Sequence, residues 1–267
     1  MQHRIVVLLI LVLLFLLSCA APPKAAKDET AVVAPRPSRL ALTLKVASID
    51  LFGLGRRIEK KDIEKFSALL KKEQVEILAV QGITRYPNVK TRVDFISELA
   101  ASADMRRAFG ETIDISGQQR GNAVFSMYPI LSNVTKEFDV PSSFLESALQ
   151  VTVDAGVRDV RIVSTRFPEK TTSRDVTSCV QTLRGLQKES ESPFVAAGNL
   201  PVQRSSRDQD AFTDVRSAMV TDPGKAMTSR MWYVPGELFK VLSARTVKTD
   251  LGTLTVAEFG LYQRSQP

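Results

Sequence analysis

Histidine is almost absent from this chain. The one imidazole among 267 residues is His3, and it stands ahead of a hydrophobic run of the kind that is cleaved off. The remainder then holds no imidazole. That excludes Ser-His and Cys-His nucleophilic catalysis and any histidine-ligated metal. Cysteine is nearly as scarce, with two residues, Cys19 and Cys179. No Cys/His cluster has the spacing of a zinc site. A G-x-S-x-G elbow, an S-x-x-K pair, a Walker A loop and a G-x-G-x-x-G turn are missing as well. Gly53-Leu54-Gly55 is a lone glycine pair, too little to mark a phosphate loop. No run of Lys or Arg exceeds two residues, although the net charge is +7. Charge so dispersed reads first as ordinary solubility, and secondly as a bias towards anionic partners.

What is present suffices for a folded domain. With 44% hydrophobic and 24% charged residues, the chain can bury a core and is not disordered by composition. Its length fits one sizeable domain or two small ones.

The N-terminus reads as a targeting segment. Arg4 precedes an apolar run of 13 residues from Ile5 to Leu17. That is short for a bilayer span and right for a signal sequence. It closes on Leu16-Leu17-Ser18-Cys19, which resembles a bacterial lipobox. The resemblance implies that residues 1–18 are removed and that Cys19 carries the lipid holding the protein to a bilayer. An ordinary signal peptide and an uncleaved anchor are the alternatives. Ala20 after the cysteine implies, by resemblance to bacterial lipoproteins, the outer membrane of the cell envelope, facing the periplasm. Residues 19–40 are rich in Ala, Pro and charge, without periodicity, and read as a tether.

The folded domain is expected over 41–265. Leu42 to Asp50 is a β-prone run. Ile63, Phe66, Leu69 and Leu70 fall at helical spacing within 59–72, and 75–81 is a second buried strand. A second amphipathic helix is expected over 91–104. Segments 107–115, 120–127, 130–138, 145–153 and 158–166 are short and β-rich, as in an antiparallel meander. Val176, Cys179, Val180, Leu183 and Leu186 share one face of a helix over 173–189, with Ser173 at its N-cap, so Cys179 reads as a buried structural thiol. Phe194 to Ala197 is a core strand that turns at Gly198. A polar stretch at 204–216 suggests a short helix with loops, and strands follow at 231–234, 238–247 and 253–262.

The strand ends, taken in order, carry a resemblance. They are Ser48-Ile49-Asp50; Val80-Gln81-Gly82; Gly121-Asn122-Ala123-Val124-Phe125-Ser126 with Tyr128-Pro129-Ile130; Ser164-Thr165-Arg166; Arg174 with Gln181 and Leu183; Ala197-Gly198-Asn199-Leu200-Pro201; and Thr249-Asp250-Leu251. This set resembles the endonuclease/exonuclease/phosphatase family, the DNase I-like proteins, across residues 43–263. The resemblance implies an α+β, four-layer α/β/β/α sandwich, in which two mainly antiparallel sheets are flanked by helices. It also implies phosphoester cleavage with a bound divalent metal, usually Mg²⁺.

The positions that match the family's catalytic motifs hold other residues. Asp50 stands for an Asn, Gly82 for a metal-binding Glu, and Arg166 for a His. Asn199 and Pro201 replace the Asp and Asn of a Gly-Asp-x-Asn turn. Asp250-Leu251 keeps the acid of the closing pair and loses its base. Mg²⁺ needs carboxylate oxygens, and leucine takes no proton. These losses strike a single working unit.

The expectation is therefore a lipid-anchored domain that has lost catalysis, needs no cofactor and acts by binding. Arg166 is the residue expected to contact a phosphate or another anion. A divergent Mg²⁺-dependent phosphoesterase, with a rearranged site among Asp50, Asp154, Asp214 and Asp250, is one alternative. A periplasmic binder of nucleic acid or anionic polymer is another.

Overall fold

The computed structural model describes residues 38–55, 57–87, 89, 92–140, 146–168, 172–201, 212–219 and 229–264. The expected signal segment, Cys19, Ala20 and nearly all of the tether lie outside them. Among the described residues, no helix is long and apolar enough to cross a membrane.

Among the described residues, twelve strands form two six-stranded sheets. In one sheet, β1 (Ser38–Asp50) runs parallel to β2 (Ile77–Arg85) and antiparallel to β12 (Gly252–Arg264). β11 (Phe239–Thr249) lies beyond β12, and the hairpin β3–β4 (Arg106–Ile115, Gln118–Ser126) completes the far side. In the other sheet the order is β5 (Ile130–Glu137), β6 (Ser147–Asp154), β7 (Asp159–Thr165), β8 (Phe194–Gly198), β10 (Arg230–Tyr233) and β9 (Thr213–Asp214). The expected meander is thus split. Its first two strands belong to one sheet and the next three to the other. A period of two reports which strands pair locally, not which sheet they join.

Each sheet carries one strand–helix–strand crossover. Helix α1 (Lys60–Glu73) connects β1 to β2, and α3 (Ser173–Lys188) connects β7 to β8. Helix α2 (Phe95–Ala103) packs beside α1 and is shorter than expected, because Asp94 caps its start and accepts a hydrogen bond from Ser97 Oγ at 2.7 Å. The N-cap of α3 is Thr172, not Ser173. Its hydroxyl accepts from Asp175 N, and Asp175 bonds back to Thr172 N, a reciprocal cap. The polar stretch resolves into the short β9 and a 3₁₀ turn, Val215–Ala218, within the part that is described.

Continuous apolar runs become legible in this setting, since a sheet covered on both faces buries every residue of its central strands. In β1, Leu44 and Val46 face the other sheet, whereas Ala47 and Ile49 face α1 and α2. In β2, Ile77 and Ala79 point inwards and Leu78 and Val80 outwards. In β8, Val195 and Ala197 join the inter-sheet core, whereas Phe194 and Ala196 pack on α3 with Cys179, Val180 and Leu183. The result is helix, sheet, sheet, helix.

Candidate functional site

Two parallel strand pairs end side by side, which gathers the sequence-predicted positions. Asp50 pairs with Gln81 across β1 and β2, and Thr165 pairs with Gly198 across β7 and β8. Gly198 tolerates no side chain, since a Cβ there would lie 1.7 Å from Thr165 O. The residues just beyond these ends, Gly82, Arg166 and Asn199, therefore lie at one end of the sandwich.

Beneath them is a buried polar floor joining the sheets. Gln81 is fully buried. Its carbonyl oxygen accepts from Ser48 Oγ at 3.3 Å and Ser229 Oγ at 3.0 Å, and its amide donates to Ser164 Oγ at 3.1 Å. Ser164 Oγ donates on to Val80 O at 2.9 Å. A second group lies alongside. Thr165 Oγ1 and Asn122 Nδ2 both donate to Ser147 O, at 3.2 and 3.0 Å, and Gly82 N donates to Asn122 Oδ1 at 3.3 Å. Buried polar groups satisfied in this way fix the relative position of the sheets.

Above the floor, Arg166 is the centre. It is 3% exposed. One terminal nitrogen donates to Glu146 Oε1 at 2.8 Å, and Nε lies 3.7 Å from Asp50 Oδ1. Its guanidinium carbon sits 3.4 Å from the centre of the Phe52 ring. The expected anion contact is thus committed to two carboxylates and an aromatic face. Burial lifts the Glu146 carboxyl from its ordinary 4.5 to about 7, against the opposing pull of Arg166 and Arg120, with Asp50 adding to the rise. Asp50 Oδ1 also accepts from Phe52 N at 2.9 Å, which turns the loop so that Phe52 closes over the site.

Gly82 marks the place where the resemblance implies a metal-binding Glu. β2 is irregular between Val80 and Ile83, and Gly82 adopts φ +64°, the left-handed region. A Cβ at this position would lie 2.5 Å from Phe52 Cβ and 3.0 Å from Phe52 Cα and N. Phe52 thus fills the space that a side chain would need. Asn199 serves the backbone. Its oxygen accepts from Phe167 N at 2.6 Å and its amide donates to Phe167 O at 2.9 Å, clamping the chain after β7 to the chain after β8. Pro201 follows that clamp, half-buried. Asp250 turns outwards, its side chain 64% exposed and 3.3 Å from Lys65 Nζ on α1. Leu251 packs into the core between α1 and the sheet.

The fit to a divalent cation is poor. Two carboxylates of the site, Asp50 and Glu146, already flank a guanidinium. Asp154 Oδ1 accepts from Gly156 N, and Asp214 Oδ1 from Arg216 N. Among the described residues, no three His, Cys, Asp or Glu come together as a metal site. Mg²⁺ demands several oxygens around one point, and the Asp50 and Glu146 carboxylates are instead turned on the Arg166 guanidinium.

Solved structures align with most of this chain. An endonuclease/exonuclease/phosphatase from Beutenbergia cavernae matches at TM-score 0.63 and 19% identity, over 84% of this chain and 72% of that one. One from Bacteroides vulgatus matches at TM-score 0.63 and 12% identity, over 83% of this chain and 100% of that one. The chain has the endonuclease/exonuclease/phosphatase fold. The human Nocturnin catalytic domain, solved with a bound sulfate anion, is similar at TM-score 0.59 and 12% identity, over 85% of this chain and 97% of that one. No protein-family model and no curated protein matches the sequence. At these identities the likeness is one of DNase I-like fold, and the chemistry rests on the residues themselves.

Glu146 and Phe52 were not singled out from the sequence, yet they complete the cluster around Arg166. One signal for Glu146 was available, an acid immediately ahead of a β-prone run. Phe52 gave none, since an aromatic in a loop is usually core.

Proposed function

We propose that the protein is a lipid-anchored envelope protein whose DNase I-like domain has lost catalysis and acts by binding. The observation that carries this reading is the replacement of the metal position by a left-handed Gly82 under Phe52, with Arg166 wedged between Asp50 and Glu146. Hydrolysis of a phosphoester in water-excluded surroundings needs a group that activates water and a cation that takes up charge. Here the nearest acids hold Arg166, and the position after Asp250 is the buried Leu251. The lipobox-like Leu16–Cys19 and the Ala/Pro-rich tether support attachment to a bilayer, and Ala20 supports the outer membrane.

Two measurements test the proposal. The purified full chain, assayed with Mg²⁺ on a generic phosphodiester at high protein concentration, is expected to give no turnover above buffer. Mg²⁺-dependent turnover that disappears in Asp50→Ala would overturn the loss of catalysis. In cell fractionation the chain is expected in the membrane pellet, with Cys19→Ala releasing it. An unchanged distribution in Cys19→Ala would remove the lipid anchor.

A further inference from the structure

The two sheets have four edges, and these are not protected alike. β9 is two residues long, and β11 is bridged at Ala244 by Met219, which follows the 3₁₀ turn. The other two edges, β3 and β5, are ten and eight residues long and have a strand on one side only among the described residues. They lie on the same side of the sandwich. A Cβ on Gly110 of β3 would lie 2.6 Å from Thr135 Oγ1 of β5, so one edge is stacked on the other. An open strand edge presents a row of backbone donors and acceptors that another strand can meet. The same wall carries Ile115, Met127, Leu131 and Val134, four of the seven large apolar side chains exposed among the described residues. Apolar exposure gathered in one place marks an interaction surface, whereas scattered exposure does not.

The charges of β3 define what fits the wall. Ala108 and Gly110 point between the sheets, so Arg107, Phe109 and Glu111 share the outer face. Arg107 and Glu111 are exposed, and among the described residues neither has an ion-pair partner in its own chain. The order basic, aromatic, acidic, at a spacing of two, is its own complement when the strand is reversed. A second β3, antiparallel about a two-fold axis at Phe109, sets each Arg107 opposite a Glu111, with the two Phe109 rings between the pairs. The three residues fall at alternate positions, so this register keeps the two-residue period of an antiparallel ladder. A slip by one residue destroys the match, and parallel pairing in register sets like charges opposite one another.

We propose that the protein forms a two-fold dimer through this wall, with β3 pairing with β3 of a second copy and the two six-stranded sheets continuing into one another. The exposed apolar side chains of β5 are covered in the same contact. The interface is isologous, so each copy uses up the other's open β3 edge and the assembly closes at two. The inference depends neither on the loss of catalysis nor on the lipid anchor.

Sedimentation velocity of the full chain in a density-matched detergent is expected to show a dimer at about 100 µM protein, well above a micromolar Kd. Arg107→Glu and Glu111→Arg, each studied alone, put like charges opposite one another at both ends of the seam and should raise Kd about tenfold or more. Mixed in equal amounts, the two variants have opposite charges at both ends again and should form a heterodimer with the parent's Kd. The double variant should also match the parent. Lys240→Glu, on β11 at the far edge of the same sheet, should leave Kd unchanged. Thermal unfolding of each variant establishes that it is folded. A parent that stays monomeric, single variants that dimerise as the parent does, or a mixture that binds no more tightly than its components overturns the proposal.

Discussion

Placing a methyl group on Gly82 is the sharpest probe of the site. Two costs follow from the geometry. The first is conformational: at φ +64° an L-residue crowds its own backbone, which costs about 1–2 kcal/mol. The second is steric. The new Cβ would meet Phe52 Cβ at 2.5 Å and Phe52 Cα and N at 3.0 Å, and overpacking of this kind costs about 1–3 kcal/mol. Together they predict that Gly82→Ala loses about 3 kcal/mol, or about 6–12 °C in Tm for a domain of this size. Because the crowded atoms are the backbone and Cβ of Phe52, trimming the ring in Phe52→Ala should not rescue Gly82→Ala. Differential scanning calorimetry of the two single variants and the double variant measures both effects. A Gly82→Ala protein that unfolds within about 2 °C of the parent would refute the argument. It would mean that a side chain is accommodated at this position, and the case against a Glu-anchored metal would fall with it.

Other consequences are open to direct measurement. Glu146 has a folded-state pKa of about 7, above its ordinary 4.5, so its contribution to stability is complete below about pH 4.5 and is lost as pH rises through about 7. The Tm of Glu146→Gln should therefore gain on the parent across that window, and parallel profiles would count against the assignment. Arg161 donates to four carbonyls at and beyond the end of α3, those of Leu186, Gln187, Ser190 and Ser192. Arg161→Lys should cost about 2–4 kcal/mol in urea unfolding, because an ammonium cannot reproduce the fork and leaves buried carbonyls unpaired; a loss below about 0.5 kcal/mol would contradict this. Asn199→Asp keeps the acceptor for Phe167 N and loses the donor to Phe167 O. It should lower stability by about 1–3 kcal/mol without introducing Mg²⁺-dependent hydrolysis, and any gain of phosphodiesterase activity would oppose the clamp role.

Much of the architecture was legible because it depends on short-range pattern. The largely apolar runs Leu44–Ile49, Ile77–Val80 and Phe194–Ala197 read as buried strands, and the spacing from Val176 to Leu186 reads as one apolar face of a helix. The residues standing at the strand ends were equally legible: a glycine at 82, an arginine at 166 and a leucine at 251 are facts of sequence, and each removes a chemical capability wherever it lies. The lack of any histidine after His3 was legible in the same way.

Contacts between distant segments were decided only by the tertiary structure. The division of the meander between two sheets turns on which edge each hairpin meets, and a two-residue period is blind to that. Asp250 matches the family acid by letter, yet its carboxylate reaches out to Lys65. Arg166 was expected to offer its charge to a ligand. Glu146, 20 residues earlier in the chain, and Asp50 on the other sheet take up that charge instead. The physical reason is common to all three. A side chain's chemistry is set by its own atoms, but its availability is set by the neighbours that desolvate and neutralise it, and those neighbours are assembled only when the sheets pack.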